Sequence, residues 1–161
     1  MTLTSRCALA IDAAALSSIH GHCFEKGWPE ADFADWLSRP GAFGAVASSA
    51  DAPLAFGLAL TAGEDAELLT LACLPEARRS GAARAALRVL ADEAGRRSLK
   101  RWILEVARDN TAALGLYRSE GFVEMGVRKG YYRKPGGQED AIVMARPVRT
   151  AVLNSSGQAG G

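Results

Sequence analysis

The junction between an apolar run and a helix near the middle of the chain has the features of an anion-binding turn. The run ends at Cys73, Pro75 interrupts it, and the small residues around Gly81 begin a helix. Small residues let a ligand approach the backbone, and the free N–H groups and dipole of a helix N-terminus attract negative charge. Arg78 and Arg79 would strengthen that attraction. The segment predicts a phosphate site, with a plain helix start and solvated arginines as the alternative.

A single carboxylate interrupts the next apolar segment. Glu105 stands between Leu104 and Val106 in RWILEV, whose alternation is typical of a strand. Alternation puts Glu105 on the face opposite Trp102 and Leu104. A carboxylate in an apolar strand is costly unless it is hydrated, paired or functional. Glu105 is therefore a candidate general base, and a glutamate at the rim paired with an arginine is the alternative.

A tyrosine lies two helical turns after a capping residue in the segment NTAALGLYRSEGF. Asn110 is a typical helix N-cap, and Gly121 stands where helices often end. Tyr117 follows Asn110 by seven residues and so lies on roughly the same side of the predicted helix. Taken alone, this spacing predicts a packing tyrosine whose hydroxyl finds a partner.

Other reactive side chains lack the neighbours that chemistry needs. Cys73 has no histidine near it in sequence, and a small thiol in an apolar strand is usually a packing residue. His20, His22 and Cys23 are metal-ligand types, but on a helix the two histidines point about 200° apart. Neither a nucleophilic cysteine nor a metal site is predicted, and no P-loop or Rossmann glycine pattern occurs.

The elements that must hold these residues alternate in type along the chain. Two helices are predicted in the first part, one starting after Asp12 and one bracketed by Pro29 and Pro40. The strands predicted there are Arg6–Leu9, Ala42–Ala47, Leu54–Leu60 and Glu67–Cys73. The last three of them, joined by turn-forming clusters, predict an antiparallel meander.

Helices and strands also alternate in the second part of the chain. The predicted elements are a helix from Gly81 to about Arg97, the strand Trp102–Val106, a helix from Asn110 to about Glu120, and the strands Val123–Arg128 and Ala141–Ala145. The segment GYYRKPGGQED between the last two strands is expected to be a loop. The order predicts an α/β fold, a single domain with a mixed, mostly antiparallel central sheet flanked by helices.

The composition is that of an ordinary globular domain. The 161 residues fit one domain, 48% are hydrophobic, and the formal net charge is +1. This balance supplies no general field for a polyanion, so nucleic acid is not expected to be the primary partner. Three cysteines without a CxxC pair, no leader and no long apolar run predict a cytoplasmic protein without a membrane anchor. Residues 1–148 are expected to form the domain and 149–161 a flexible tail.

Three phrases, in their order and spacing, resemble a known family. EARRSGAARAAL, LEVARDNTAALGLYRSEGF and GYYRKPGGQEDAIVMARP are similar to segments of the GNAT superfamily of N-acetyltransferases. They are most similar to its bacterial members that acetylate the N-terminal alanine of a small-subunit ribosomal protein. The resemblance covers roughly residues 3–147 and is strongest from Glu67 onward. It implies the acyl-CoA N-acyltransferase fold, acetyl-CoA as cosubstrate without a metal, and the N-terminus of a ribosomal protein as acceptor.

The resemblance also assigns roles to residues of this chain. The family segment R/Q-x-x-G-x-G/A, which cradles the coenzyme A pyrophosphate, matches residues 78–83, and the strand before it would offer main-chain groups to the pantetheine and acetyl carbonyl. Glu105 matches the proposed base, Tyr117 the proposed acid, and Asn110 a residue that contacts the cofactor. The implied cofactor-binding set is Leu71, Ala72, Cys73, Arg78, Arg79, Ser80, Gly81, Ala82, Ala83, Arg84, Asn110 and Tyr117.

The chain departs from the family pattern beside the cofactor segment and in its first half. Leu74 stands where an acidic residue is common and Ala77 where an aromatic one is common, which bears on cofactor affinity. Because the part that shapes the acceptor groove matches loosely, a GNAT enzyme for small amines or lysine stays open. So does a non-catalytic domain that binds acetyl-CoA and a protein partner. Two basic clusters are expected to be solvated, with a coenzyme phosphate or ribosomal RNA as the alternative contact: Arg96, Arg97, Lys100, Arg101 and Arg128, Lys129, Arg133, Lys134.

Overall fold

A computed structural model describes residues 2–134 and 137–149. The strands are β1 (Leu3–Cys7), β2 (Ala42–Ser49), β3 (Ala52–Ala62), β4 (Asp65–Cys73), β5 (Arg101–Ala107), β6 (Val123–Lys134) and β7 (Gly137–Pro147). The α-helices are α1 (Ala13–Cys23), α2 (Glu30–Ser38), α3 (Ala82–Arg96) and α4 (Thr111–Ser119). Short 3₁₀ turns, Ala10–Asp12 and Pro75–Ala77, precede α1 and follow β4.

The described strands form one sheet in the order β1-β2-β3-β4-β5-β7-β6. Neighbouring strands are antiparallel except for β4 and β5, which are parallel and joined through α3. A helical crossover is the usual connection between parallel neighbours. Helix α3 packs on one face of the sheet, and α1 and α2 pack on the other. This arrangement confirms the predicted mixed, mostly antiparallel sheet flanked by helices.

The parallel strands β4 and β5 separate after a short paired stretch. Their pairing runs only from Asp65 opposite Arg101 to Glu67 opposite Ile103. Strand β4 continues to Cys73 and β5 to Ala107 without further pairing between them. The carboxyl halves of the two strands therefore border an open wedge in the sheet, and their facing backbone groups are available to a ligand.

A bulge in β4 changes which side chains face which core. Leu58 on β3 pairs with Thr70, and the next residue, Ala59, pairs with Leu68, so Leu69 is the extra residue. Before the bulge Leu68 packs on the α3 side, and after it Leu71 packs on that same side, although three positions separate them. The insertion thus reverses the alternation of β4 just where the strand enters the wedge.

The predicted loop between the last two strands is wrong, because most of it is strand. Strand β6 runs on to Lys134 and β7 starts at Gly137. The residues between Arg128 and Tyr132 oppose a shorter stretch of β7, and Gly130 has φ +63° there. Gly130, one of the turn-forming residues of GYYRKPGGQED, therefore lies in this irregularity of β6 rather than in a free loop.

The N-terminal strand and the start of α1 also differ from expectation. Strand β1 is Leu3–Cys7 rather than Arg6–Leu9, because Ala8 and Leu9 lead into the 3₁₀ turn. Asp12 precedes α1 as predicted, but its carboxylate bonds Arg6 at 2.8 Å and the Leu9 N–H at 2.8 Å instead of capping the helix. The Arg6 guanidinium, followed by the Leu9 bond, lowers the pKa of Asp12 against the opposing effect of burial.

The predicted tail lies outside the described residues apart from Arg149. Helix α3, at 15 residues, is the longest helix of the described part, and none there has both the length and the apolar character of a bilayer span.

Candidate active site

A cleft of about 950 Å³ lies where the end of β4, the start of α3 and the inner side of α4 meet. It continues to the end of α1, where Cys23 and Phe24 contribute to its wall. All twelve residues predicted to bind the cofactor line this one cleft: Leu71, Ala72, Cys73, Arg78, Arg79, Ser80, Gly81, Ala82, Ala83, Arg84, Asn110 and Tyr117. The structure therefore brings together residues that lie up to 46 positions apart in the chain.

The turn into α3 has the backbone geometry of an anion site. Arg79 and Gly81 both have positive φ, at +65° and +89°, and Gly81 is the N-cap of α3. The Ser80 hydroxyl accepts the Ala82 N–H at 3.3 Å. The first turn of α3 holds no acidic residue, so nothing on the helix opposes an anion at its positive end. Arg78, Arg79 and Arg84 supply cations along the cleft.

Helices α3 and α4 are joined by charged side chains beside the cleft. The Arg84 guanidinium donates to the Ser119 hydroxyl at 2.9 Å and lies 3.4 Å from the Glu120 carboxylate. Arg88 binds the same carboxylate at 2.9 Å. Glu120 is only 10% exposed, so these contacts are better shielded than an ordinary surface pair. They hold α4, and with it Tyr117, against α3.

Helix α4 is capped as its sequence predicts, and its Tyr117 lines the cleft. Asn110 Oδ1 accepts the Ala113 N–H at 3.2 Å, which confirms the predicted N-cap. Tyr117 is 7% exposed, and its ring meets Phe122 edge-on with centroids 5.7 Å apart. The packing interpretation of Tyr117 is thus correct for its ring, and the same residue lines the cleft.

Two thiols lie at the end of β4. Cys23 Sγ donates to the Cys73 carbonyl oxygen at 3.2 Å, which fixes the end of α1 over the strand. Burial, followed by the nearby Cys23, raises the pKa of Cys73, and the Ala83 N–H at the start of α3 acts in the opposite direction. A thiol that stays protonated is a poor nucleophile. This environment supports packing rather than catalysis for Cys73.

Glu105 does not line the cleft but borders the same wedge from its other side. Trp102, Leu104 and Val106 are buried, and Glu105 points to the opposite face of the sheet, as the alternation predicts. Its carboxylate is 26% exposed, and Arg128 Nη1 donates to Oε1 at 2.5 Å. The glutamate is therefore paired with an arginine, as in the alternative interpretation, and it lies on the half of β5 that does not pair with β4.

Sequence reasoning missed a role for Arg128, which it placed among solvated cations. Besides its bond to Glu105, the guanidinium carbon lies 4.5 Å from the ring centroid of Tyr131. No local pattern pairs Glu105 with Arg128, because they lie 23 positions apart on two strands that β7 separates in the sheet. The side chains of Arg133 and Lys134 lie outside the described part of the chain.

His20 is a second residue whose role the sequence did not reveal. His20 is 3% exposed, and its ring stacks on those of Phe24 and Trp28 with centroid distances of 4.3 and 4.7 Å. Its Nδ1 accepts the Trp28 N–H at 3.0 Å, and burial lowers the pKa of the imidazole. Helical spacing could not have revealed this stack, because α1 ends at Cys23 and Phe24 and Trp28 lie beyond it. Among the described residues no group of three or more His, Cys, Asp or Glu side chains could hold a metal.

A known protein family and individual relatives are similar to this chain in sequence. The model of the acetyltransferase (GNAT) family matches residues 13–122. A [ribosomal protein bS18]-alanine N-acetyltransferase of Escherichia coli K12 is 40% identical over 94 residues, which is 58% of this chain and 64% of the relative. One of Haemophilus influenzae is 36% identical over 93 residues, 57% of this chain and 63% of the relative. The matched segment thus spans slightly less than two thirds of these relatives.

Solved structures match over a larger part of the chain. The crystal structure of the ribosomal-protein-S18-alanine N-acetyltransferase from Escherichia coli superimposes with a TM-score of 0.83 and 31% identity, covering 93% of this chain and 96% of that one. The structure of yncA, a putative acetyltransferase from Salmonella typhimurium with its cofactor acetyl-CoA, has a TM-score of 0.81 at 19% identity. It covers 92% of this chain and 95% of that one, and at this identity it supports the fold alone.

Proposed function

The chain belongs to the acetyltransferase (GNAT) family, and on that basis we propose that it transfers the acetyl group of acetyl-CoA to the α-amine of a protein N-terminus. The proposed acceptor residue is alanine, at the start of a small-subunit ribosomal protein. The relatives from Escherichia coli, which are named as alanine N-acetyltransferases of a ribosomal protein and are 40% identical in sequence and 31% in the superimposed structure, support that choice. The observation that carries the proposal is the single cleft that joins the start of α3 to the open end of β4.

The cosubstrate would bind along this cleft. The backbone N–H groups around Gly81, together with Arg78 and Arg79, suit the pyrophosphate because small residues, a helix N-terminus and two cations coincide there. The unpaired edge of Leu71–Cys73 suits the pantetheine arm, and its N–H groups would polarise the acetyl carbonyl and stabilise the developing oxyanion.

A protein N-terminus is the easier acceptor on simple grounds of acidity. An amine must be neutral to attack a thioester. Reference pKa values are about 7.8 for an α-amino group and about 10.4 for lysine, so near neutral pH a terminus has several hundred times more of the reactive form. One carboxylate acting as base then suffices, whereas a lysine acceptor would require a larger perturbation.

The proton transfers can be assigned to two side chains. The amine nitrogen forms a bond to the acetyl carbon while the carbon–sulfur bond breaks. Glu105 takes the proton that the amine loses, directly or through a water, and Tyr117 gives its phenolic proton to the departing sulfur. A thiol has a pKa of about 8.5 and a phenol about 10, so this last transfer is best concerted with bond cleavage. No covalent enzyme intermediate is required.

Mass spectrometry of peptides incubated with the enzyme and acetyl-CoA would test the proposal. The panel contains a peptide that begins with alanine, the same peptide with a blocked terminus and an internal lysine, and small amines. We expect acetylation of the free alanine end first. Lack of that preference would favour the small-amine or lysine alternative, and no transfer to any acceptor despite bound acetyl-CoA would favour the binding-domain alternative.

A matched pair of variants would test the base. Glu105→Gln removes the carboxylate beside the wedge, and Glu67→Gln removes an exposed carboxylate at the last position where β4 pairs with β5. We expect the first variant to lose turnover and the second to keep it. Equal turnover in both would remove Glu105 from the mechanism.

A further inference from the structure

We propose that Arg128 is a positioning residue for this reaction: it holds one oxygen of the Glu105 carboxylate and leaves the other to face the acceptor amine. The inference rests on the proposed function, because it concerns the same carboxylate. Arg128 Nη1 bonds Oε1, and none of the described side chains donates a hydrogen bond to Oε2. Oε2 is thus the oxygen on which a substrate amine or a bridging water can place a proton.

The pairing requires a particular register of three strands. Arg128 lies on β6 opposite Ala141 of β7, which in turn lies opposite Ala107 of β5. Glu105 lies opposite Val143, one pleat along the same face. Neighbouring strands are about 4.8 Å apart, so the arginine must reach over one whole strand, roughly 10 Å from β6 to β5. On the crossed strand β7, the residue opposite Arg128 is Ala141, which has a small side chain and is completely buried.

The Arg128 guanidinium also contacts an aromatic ring, that of Tyr131. Tyr131 returns towards Arg128 because the chain between them makes a bulge. In that bulge Gly130 has φ +63° and donates its N–H to Asp140 Oδ1 at 2.9 Å. This positive φ is a conformation that residues with a Cβ rarely adopt, so the bulge favours glycine at position 130. Stacking on an aromatic ring while donating in the plane is a capability of arginine that lysine lacks.

A fixed carboxylate matters more for catalysis than for stability. An exposed ion pair contributes little to folding, and this one is 54% exposed at the arginine and 26% at the glutamate. A glutamate on an open sheet face would otherwise sample several rotamers, and misplacement of a reacting group by about 1 Å can cost about 100-fold in rate. Loss of this ion pair is therefore expected to lower turnover much more than it lowers stability.

Steady-state kinetics with an alanine-ended peptide would test the role of Arg128. Arg128→Met keeps much of the side-chain length and removes the donor, so we expect kcat to fall about 10- to 100-fold with the KM for acetyl-CoA unchanged. Arg128→Lys should recover part of the loss, and guanidinium ions should partly rescue Arg128→Ala. Lys129→Met removes a neighbouring charge from the same strand and should leave kcat unchanged. An unchanged kcat in Arg128→Met, with transfer intact in the wild type, overturns the proposal and leaves the function standing.

The same substitution in a Glu105→Gln background separates positioning from other roles. If Arg128 acts through Glu105, adding Arg128→Met to Glu105→Gln should cause no further loss. An equal loss in both backgrounds would mean that Arg128 acts on the acceptor itself and would overturn the proposal. Full turnover in Glu105→Gln, or no transfer by the wild type, would reject the proposed mechanism or function and this inference with it. Circular dichroism of each variant would verify folding.

Discussion

The imidazole of His20 and the backbone of Trp28 are joined by a hydrogen bond of 3.0 Å, in which Nδ1 accepts and the N–H donates. The Trp28 carbonyl is held as well, by the Ser17 hydroxyl at 2.8 Å. The segment between α1 and α2, which includes Phe24 at the cleft, is thus fastened through one tautomer of a buried histidine. Protonation at Nδ1 would remove the acceptor.

Acidification should therefore weaken the protein through His20. Burial lowers the pKa of the folded imidazole below its ordinary value of 6.5, so the unfolded state takes up the proton first. The stability contributed by neutral His20 is complete above about pH 6.5 and is lost as the pH falls towards the folded pKa. We expect the Tm to decrease between pH 7 and pH 5, a range above the ordinary titration of carboxylates.

A pair of histidine variants would check this assignment. His20→Asn keeps an acceptor and cannot titrate, so it should lower the Tm at every pH but flatten its dependence between pH 7 and pH 5. His22→Asn changes the exposed histidine two residues away and should retain the wild-type slope. A wild-type slope in His20→Asn would refute the role of His20.

The fold class was accessible from the sequence because most elements have a local period, but the wedge was not. The strand Trp102–Val106 and the helix after Asn110 were predicted from alternation, helical spacing and a cap, and both are present. The bulge at Leu69 reverses the alternation of β4 without a glycine or proline to mark it. A simple period of two therefore assigns the residues after it to the wrong face.

In the candidate site, too, the parts set by local sequence were predictable and the parts set by pairing between distant strands were not. The cofactor segment is continuous in sequence, so small residues and arginines at a helix start were enough to find it. The partner of Glu105 depends on the register of β6 against β7, and two irregularities in β6 set that register. Sequence alone offers no rule for choosing Arg128 over the other cations of its cluster.

Substitutions at Gly81 should separate backbone strain from charge at the phosphate site. Gly81 has φ +89°, a conformation that asparagine and aspartate tolerate better than other residues. Gly81→Asn and Gly81→Asp add side chains of equal size, so their difference is the negative charge. By calorimetry we expect Gly81→Asp to bind coenzyme A about tenfold or more weakly than Gly81→Asn, because like charges repel close to the helix start.

A glycine in a remote turn supplies the control for this experiment. Gly63 has φ +62° between β3 and β4 and nothing within 4 Å of an added Cβ. Gly63→Asp therefore introduces the same charge with a similar backbone requirement but away from the cleft. It should bind coenzyme A like the wild type. Equal affinities for Gly81→Asp and Gly81→Asn would contradict the assignment of the pyrophosphate to this turn.

Alkylation of the cysteines should report the occupancy of the cleft. Cys23 and Cys73 line it, whereas Cys7 lies on β1 outside it. Peptide mass spectrometry after iodoacetamide treatment should show slow labelling of Cys73, since burial raises the pKa of its thiol and the thiolate is the reactive form. Desulfo-coenzyme A, which has no thiol of its own, should slow labelling of Cys23 and Cys73 and leave Cys7 unchanged. Unaltered labelling of all three would place the ligand elsewhere.

Tyr117 combines a packed ring with a proposed proton donor, and two substitutions can distinguish these roles. Tyr117→Phe keeps the ring that meets Phe122, so its free energy of unfolding should change by about 1 kcal/mol or less. Its kcat should fall about 100-fold if the phenol protonates the departing thiolate, with little change in either KM. Phe122→Leu disturbs the same ring contact while the hydroxyl remains, so it should lower the Tm and keep most of kcat at a permissive temperature. If Tyr117→Phe instead retains kcat, the residue only packs, and the proton on the leaving sulfur must come from solvent.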